Sequence, residues 1–323
     1  MIYPPQSRIL DCRRCGAGNR VQLERAFTQP GAARCGKCKQ PLLLAREDPW
    51  RGVDGVLDGY QHPLDKETLD AVHSIPGVDS LLKKLIENTW ERYERMFHAS
   101  SFVRASARQL PTLHRLFERA AHQLGLTIVP DLFLYTDPVP NAYTSGVERP
   151  YVAVSTGLVD LMEDDEVGAV MAHELAHWQC RHVLYKTASR LLVEAASLIA
   201  TATLGLGSLV IIPVRLALLK WDRCSELTAD RGMLLATRDV ELCMRVLFKL
   251  AGGSFRLRAE LSLDEFLRQS VETAAASTES VLDRVFSLLQ AIYRTHPFPL
   301  YRAAELWKWA TEGEYLALLQ QAS

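Results

Sequence analysis

The sequence carries almost no net charge: 37 Lys and Arg stand against 38 Asp and Glu, giving −1 at neutral pH. Without an excess of either sign, the chain as a whole offers no basis for binding nucleic acid or an anionic membrane. Internal repeats and low-complexity tracts are also missing. The opening "MIYPPQSRIL" lacks a charged n-region followed by an apolar h-region, so no signal peptide is expected there. Cysteine is present, but not in the manner of a disulfide scaffold. Four of the seven fall into two C-x-x-C pairs, which suits a reducing compartment, and the expected location is the cytoplasm. What remains is 323 residues at 48% hydrophobic and 23% charged, enough for one sizeable core and a small appendage.

The appendage comes first. Cys12-x-x-Cys15 and Cys35-x-x-Cys38 are separated by nineteen residues, and each pair offers two thiolates to one metal. Four thiolates satisfy tetrahedral Zn²⁺ and leave no open position, as in a structural site. Gly16 follows the first pair and Gly36 lies inside the second, where a tight turn is eased by a residue without Cβ. So short a segment cannot bury enough apolar surface alone, and the metal would supply its folding energy. A redox C-x-x-C would need a βαβ context, which is absent. The segment, with its trailing "CGKCKQPLLL", resembles the zinc ribbons that precede some bacterial thioredoxins. Up to Pro41 it carries eight basic residues (Arg8, Arg13, Arg14, Arg20, Arg25, Arg34, Lys37, Lys39) against Asp11 and Glu24. That surface could touch nucleic acid or an acidic protein, or be an ordinary solvated face; nucleic acid is not the expected partner. Residues 1–45 are read as the ribbon. The Gly-, Pro- and Asp-rich stretch within 46–75 is read as a linker.

From Asp79 to about Gly125 the pattern is mostly helical. β-type runs follow in "TIVPDLFLY" and "RPYVAVSTGLVDLM", separated by the turn-rich "TDPVPNAYTSGVE". "EDDEVGAVMAHELAHWQCRHVLYKTASRLL" then predicts one long helix, with Glu163, Asp164, Asp165 and Glu166 at the positive end of its dipole. The expected class is α+β, a mainly helical domain whose metal helix packs on a small sheet.

That helix carries His173, Glu174 and His177 as H-E-x-x-H. Histidines four apart share a helix face and can grip one ion. Glu174, about 100° further round, is placed to take a proton from water at that ion. A lone match is only suggestive, since a helix can carry two histidines for other reasons. "WDRCSELTADRG" adds weight: Glu226 can complete a two-His, one-Glu zinc site with one position left for water. Asp230, one turn on, can hold the second nitrogen of a ligand imidazole, with His173 the expected partner.

With these residues in place, the chain resembles the HtpX-like gluzincin metallopeptidases, a family that also includes the prenyl-protein (CAAX) endopeptidases. "PVPNAYTSGVERPYVAVSTGLVDLM", "SELTADRGMLLAT" and "THPFPLYRAAEL" are similar to that family's strands, second metal helix and late His-Pro, so the likeness runs from about His62 to Trp309. It implies a zincin-type peptidase domain over 76–312, within which the stretch 183–225 is read below as an inserted helical hairpin. It further implies His173, His177 and Glu226 as ligands of a catalytic zinc and Glu174 as general base. Asn141, Ala142 and Tyr143 would belong to an edge strand that holds an extended substrate. His296 would either donate to the oxyanion or simply start a helix before Pro297, with Tyr301 and Arg302 as alternatives. Cys180 and Cys224 are read as packed thiols. The implied cofactors are two zinc ions, one catalytic and one structural in the ribbon.

Between the zinc motifs, Ala195 to Val214 is twenty residues without charge, the length of a membrane span. A single crossing is incompatible with His177 and Glu226 meeting at one ion, and the forty-three residues from Val183 to Ser225 are too few for two. A helical hairpin bent near Gly205-Leu206-Gly207 is expected. Its apolar 191–219 portion would be buried, would join two copies of the chain, or would dip into a bilayer, giving a membrane-associated protein. The functional expectation is a zinc endopeptidase acting on unfolded or membrane-associated proteins. The rivals are an adaptor whose ribbon binds a partner beside a silent peptidase domain and, more weakly, prenyl-protein processing.

Overall fold

The computed structural model describes residues 7–50, 52, 59–78, 80, 96, 98, 100–146, 149–187, 189, 208–254, 256–276 and 298–323. His296 and the expected hairpin bend at 205–207 lie outside them.

The chain opens with a β-hairpin, β1 (Ser7–Asp11) paired antiparallel with β2 (Gly18–Gln22), and the first C-x-x-C sits in its turn. Gly16 closes that turn at φ 69°, donating its N–H to the carbonyl of Cys12. Helix α1 (Leu23–Thr28) and the second knuckle follow. Phe27, Leu42 and Leu43 are fully or nearly fully buried, but their surroundings belong to the far end of the chain. Leu44 N–H donates to the carbonyl of Leu319 (3.0 Å), Arg8 to that of Thr311 (2.6 Å) and Arg13 to that of Gln321 (2.7 Å). The ribbon segment and the rest of the chain therefore share one continuous apolar core.

The stretch expected to be a linker contains a helix. α2 (Pro63–His73) begins where His62 accepts the Leu64 N–H on its side chain and Pro63 takes the first helical position. Inward it presents Asp65, Thr68 and Val72, spaced at three and four residues. A segment rich in Gly, Pro and Asp on either side still folds here because this one face finds a buried partner.

The larger sheet runs in the order β3 (Val103–Arg104), β4 (Asp131–Tyr135), β6 (Tyr151–Ser155), β5 (Ala142–Ser145), with β4 and β6 parallel and the two outer pairings antiparallel. Every residue of β6 is buried, as a central strand covered on both faces requires. α3 (Pro111–Gln123) buries Leu113, Phe117, Ala120 and Ala121. The end of "YVAVSTGLVDLM", expected as strand, turns into α4 (Thr156–Leu161), because the Ser155 side chain accepts the Leu158 N–H and caps a helix.

α5 (Asp164–Gln179) starts with reciprocal Glu163 and Glu166 capping bonds and three acids in its first turn. It does not run on as one long helix. The chain breaks at Cys180, passes Arg181 at φ 60°, and turns helical again over 182–187. A left-handed arginine costs about 1 kcal/mol, so the break is held by what lies on either side of it. α6 (Ser208–Thr237) packs Val214, Leu218 and Trp221 against Val72 and Val78 of the α2 region, so this part of the apolar stretch is covered by protein. α7 (Val240–Gly252), α8 (Leu263–Ala276), α9 (Pro299–Glu312) and α10 (Glu314–Gln321) complete the order. Among the described residues no helix is long and apolar enough to cross a membrane. The class is thus mainly helical α+β with small sheets.

Because Phe27 lies against Tyr315 in the shared core, with ring centroids 6.3 Å apart, Phe27→Ala should cost the whole chain about 3–5 kcal/mol. Thermal unfolding followed by circular dichroism should show one transition moved to lower temperature. Two transitions of which only one moves would mean that the ribbon segment melts independently.

Candidate metal centre

The two helices that carry the motifs cross where one side chain is missing. A Cβ added to Gly232 on α6 would lie 2.4 Å from the Cβ of Ala176 on α5, well inside contact distance. Ala176 immediately precedes His177, and Gly232 follows Glu226 by six residues, so the close approach brings the two sets of side chains to the same place. Within the crossing, ligand-type atoms of His173, His177 and Glu226 all lie within 4.8 Å of one another. Glu226 Oε2 is 3.4 Å from His173 Nε2, and Oε1 is 3.2 Å from His177 Nε2. All three residues are buried, and the imidazole planes stand almost perpendicular at 89°.

His177 Nε2 is a buried nitrogen with no hydrogen-bond partner, despite its closeness to Glu226. Such a group is costly unless something else satisfies it. Two imidazole nitrogens and a carboxylate converging from two sides are a donor set that suits Zn²⁺ and leaves a coordination position open. The residues present fit the metal.

The surroundings are strongly charged. Arg302, on α9, donates through Nε (2.7 Å) and Nη2 (2.6 Å) to the two oxygens of Asp230, and its Nη1 is 3.2 Å from Glu226 Oε2. Asp230 also lies 3.0 Å from His173 Nδ1, which orients that ring with Nε2 toward Glu226. Burial works against charge on Asp230, but Arg302 and His173 outweigh it and hold the carboxyl below its usual range. Burial likewise disfavours a charged His173, yet Asp230 and Glu226 push its pKa up to about 9, the response of a site short of positive charge. His177 moves the other way, kept neutral by burial and by the nearby Lys186. The Lys186 ammonium reaches Glu226 Oε1 (2.8 Å) and Asp222 (2.6 Å).

Glu174, one position beyond His173, is 2% exposed. Thr144 of the outer strand β5 lies 2.8 Å from Glu174 Oε2 and 2.8 Å from its carbonyl oxygen, tying the sheet to the metal helix at that residue. Ala142 and Tyr143 lie on the same strand, and Asn141 sits just before it, donating to the Tyr135 hydroxyl (3.2 Å). Strand alternation turns Tyr143 to the opposite face from Thr144, where its hydroxyl is 2.9 Å from His98 Nε2. Cys180 is a buried thiol donating to Tyr60, and Cys224 is half-buried. Arg302, one of the alternatives to His296, is committed to Asp230 and Glu226. Sequence reasoning missed Thr144 and Lys186. The period-two alternation from Tyr143 was the available signal for Thr144; nothing local marks Lys186.

In the ribbon segment, Cys12 Sγ and Cys38 Sγ are 3.5 Å apart, and Cys15 Sγ and Cys35 Sγ 3.6 Å. Four sulfurs about 2.3 Å from one zinc would be about 3.8 Å apart, so this cluster also fits its metal. Backbone N–H groups of Cys38 and Lys37 lower the Cys35 thiol pKa against the opposing effect of burial, favouring the ligating thiolate.

Comparison with known proteins extends the picture. Residues 107–310 match peptidase family M48. Over 298 residues the chain is 33% identical to the chloroplastic plastoglobule-localized metallopeptidase 48 of Arabidopsis thaliana, covering 91% of this chain and 84% of that protein. It is 27% identical over 243 residues to the protease HtpX homologue of Ralstonia pickettii, covering 69% of this chain and 81% of that protein. The Burkholderia mallei homologue gives the same identity over 68% and 81%. No solved structure matches.

Gly232→Ala should force α5 and α6 apart and cost about 1–3 kcal/mol, seen as a lower midpoint in urea or heat. An unchanged midpoint would mean that the crossing is not the tight contact described.

Proposed function

The chain belongs to peptidase family M48, and from that premise and the geometry above we propose that it is a zinc-dependent endopeptidase. Metallopeptidases of this family use a metal, generally zinc. Here His173 Nε2, His177 Nε2 and the Glu226 carboxylate would hold it. Zinc bound there supplies Lewis-acid polarisation of the scissile carbonyl and brings the pKa of water toward about 7. The observation that carries the reading is the convergence of those three side chains within 4.8 Å, with Glu174 beside them on the same helix.

Glu174 acts as general base: its carboxylate takes a proton as water attacks and delivers it to the leaving amine. The Thr144 contact at Oε2 fixes the carboxylate plane and leaves Oε1 as the proton-handling oxygen. Asp230 and Arg302 keep His173 in its orientation. Among the described residues β5 ends the sheet order beyond β6, and an extended peptide lying beside Asn141, Ala142 and Tyr143 is the substrate geometry we favour. That geometry selects unfolded or locally extended segments of protein substrates. His296 remains a proposed donor to the oxyanion, placed by its sequence position alone. The four cysteines hold a second, structural zinc. A catalytically silent adaptor would have no need of Glu174 held by Thr144 beside a complete donor set, so the peptidase reading is preferred. The relative named for plastoglobules supports a membrane-associated setting, with Val214 and Leu218 of the apolar stretch kept for packing against α2.

Purified protein should contain two zinc ions per chain, one of them readily removed by chelator. Glu174→Gln should keep both while cleavage of casein falls by at least about 10²–10⁴-fold. Full-rate cleavage by that variant would rule out Glu174 as the base.

A further inference from the structure

From His177 a buried run of hydrogen bonds leaves the metal centre and ends on a helix outside the stretch matched to the family. His177 Nδ1 lies 2.8 Å from His182 Nδ1, and His182 Nε2 lies 3.0 Å from Asp65 Oδ2. His177 and His182 are each 1% exposed and Asp65 is 0% exposed. Both oxygens of Asp65 are engaged: Oδ2 also accepts from Thr228 Oγ1 (2.7 Å) and Gln61 Nε2 (3.0 Å), and Oδ1 from Trp221 Nε1 (2.9 Å).

The chemistry of the groups sets the direction of each bond. An ionised carboxylate only accepts, so His182 Nε2 carries the proton given to Asp65. In a neutral imidazole the other nitrogen is then an acceptor, and His182 Nδ1 receives the Nδ1–H of His177. This leaves the lone pair of His177 on Nε2, the atom that faces Glu226. The arrangement depends on the break in the metal helix. On an uninterrupted helix, a residue five positions after His177 would sit about 140° round the axis and face elsewhere. The turn through Arg181 instead brings the His182 ring to 5.1 Å from that of His177.

We propose that Asp65 and His182 are positioning residues that fix the tautomer and ring plane of His177 as a metal ligand, making helix α2 a working part of the metal centre. The two imidazoles are then braced by different means: His173 directly by Asp230 on α6, and His177 through a second histidine by Asp65 on α2. The inference rests on the metallopeptidase reading, and it makes metal affinity depend on the Asp65 carboxylate, carried by a helix that lies far from the motif in sequence.

The test is Co²⁺ titration of the full chain, freed of metal, with Co²⁺ alone as probe. Thiolate-to-cobalt charge-transfer bands report the four-cysteine site, and weaker ligand-field bands report the nitrogen–oxygen site. Asp65→Asn and His182→Phe should each weaken Co²⁺ at the nitrogen–oxygen site by about 10–100-fold and leave the thiolate bands unchanged. The double variant should lose little more than either single, because the two residues act through one another. Val72→Ala, which loosens α2 without touching the hydrogen bonds, should lower the melting temperature and leave that affinity unmoved. The proposal is overturned if the single variants bind as the parent does, if their losses multiply in the double variant, or if Val72→Ala weakens binding equally. A parent protein with no nitrogen–oxygen cobalt site would overturn the metallopeptidase reading itself, which separates the two failures.

Discussion

The centre depends on one close contact between helices. Gly232 meets Ala176 where any larger residue would clash, and every distance among His173, His177 and Glu226 follows from that approach. Interhelical spacing is normally set by the side chains at the contact, about 8–10 Å between axes. A glycine facing an alanine sits at the short end of that range, and a glutamate is then long enough to reach the opposite helix. Glycine inside a helix costs about 1 kcal/mol relative to alanine, set here against a crossing whose flanking residues Leu175, Ala229, Met233 and Leu234 are buried.

Charge is the second constraint. At formal charges, among the described residues, Glu174, Glu226 and Asp230 stand against Lys186 and Arg302, an excess of negative charge at the cluster. A bound cation would offset it. Lone buried carboxylates would be prohibitively destabilising, so the arginine and lysine make the site foldable, while the remaining imbalance suits it to a cation. His173 shows the same demand in its raised pKa.

What could be read from the sequence divides by range. The ribbon's paired cysteines, the H-E-x-x-H turn and the E-x-x-x-D turn are local patterns, each contained within a few residues, and the fold brings the members of each together. Phenomena that depend on distant partners left little trace. Asp65 sits in a Gly-, Pro- and Asp-rich stretch where a charged residue looks solvated. Its burial is set by Trp221 and Thr228, more than 150 residues away. The break after Gln179 was hidden because the left-handed residue is an arginine, not the glycine that usually marks such a turn. "STGLVDLM" was read as strand because its apolar content outweighed the capping serine. The family resemblance did cover the peptidase part of the chain, as the match over 107–310 shows.

The hydrogen bonds from Arg8 and Arg13 to the carbonyls of Thr311 and Gln321 join the two extremities of the molecule. A ribosome delivers Arg8 and Arg13 some 303 and 308 residues before the carbonyls that receive them. Arg302, the cation that neutralises Asp230, also emerges long after the histidines it helps to hold. A nascent chain thus carries His173 and His177 well before Arg302 is made, and the cluster around them cannot be locked in place until that helix has emerged.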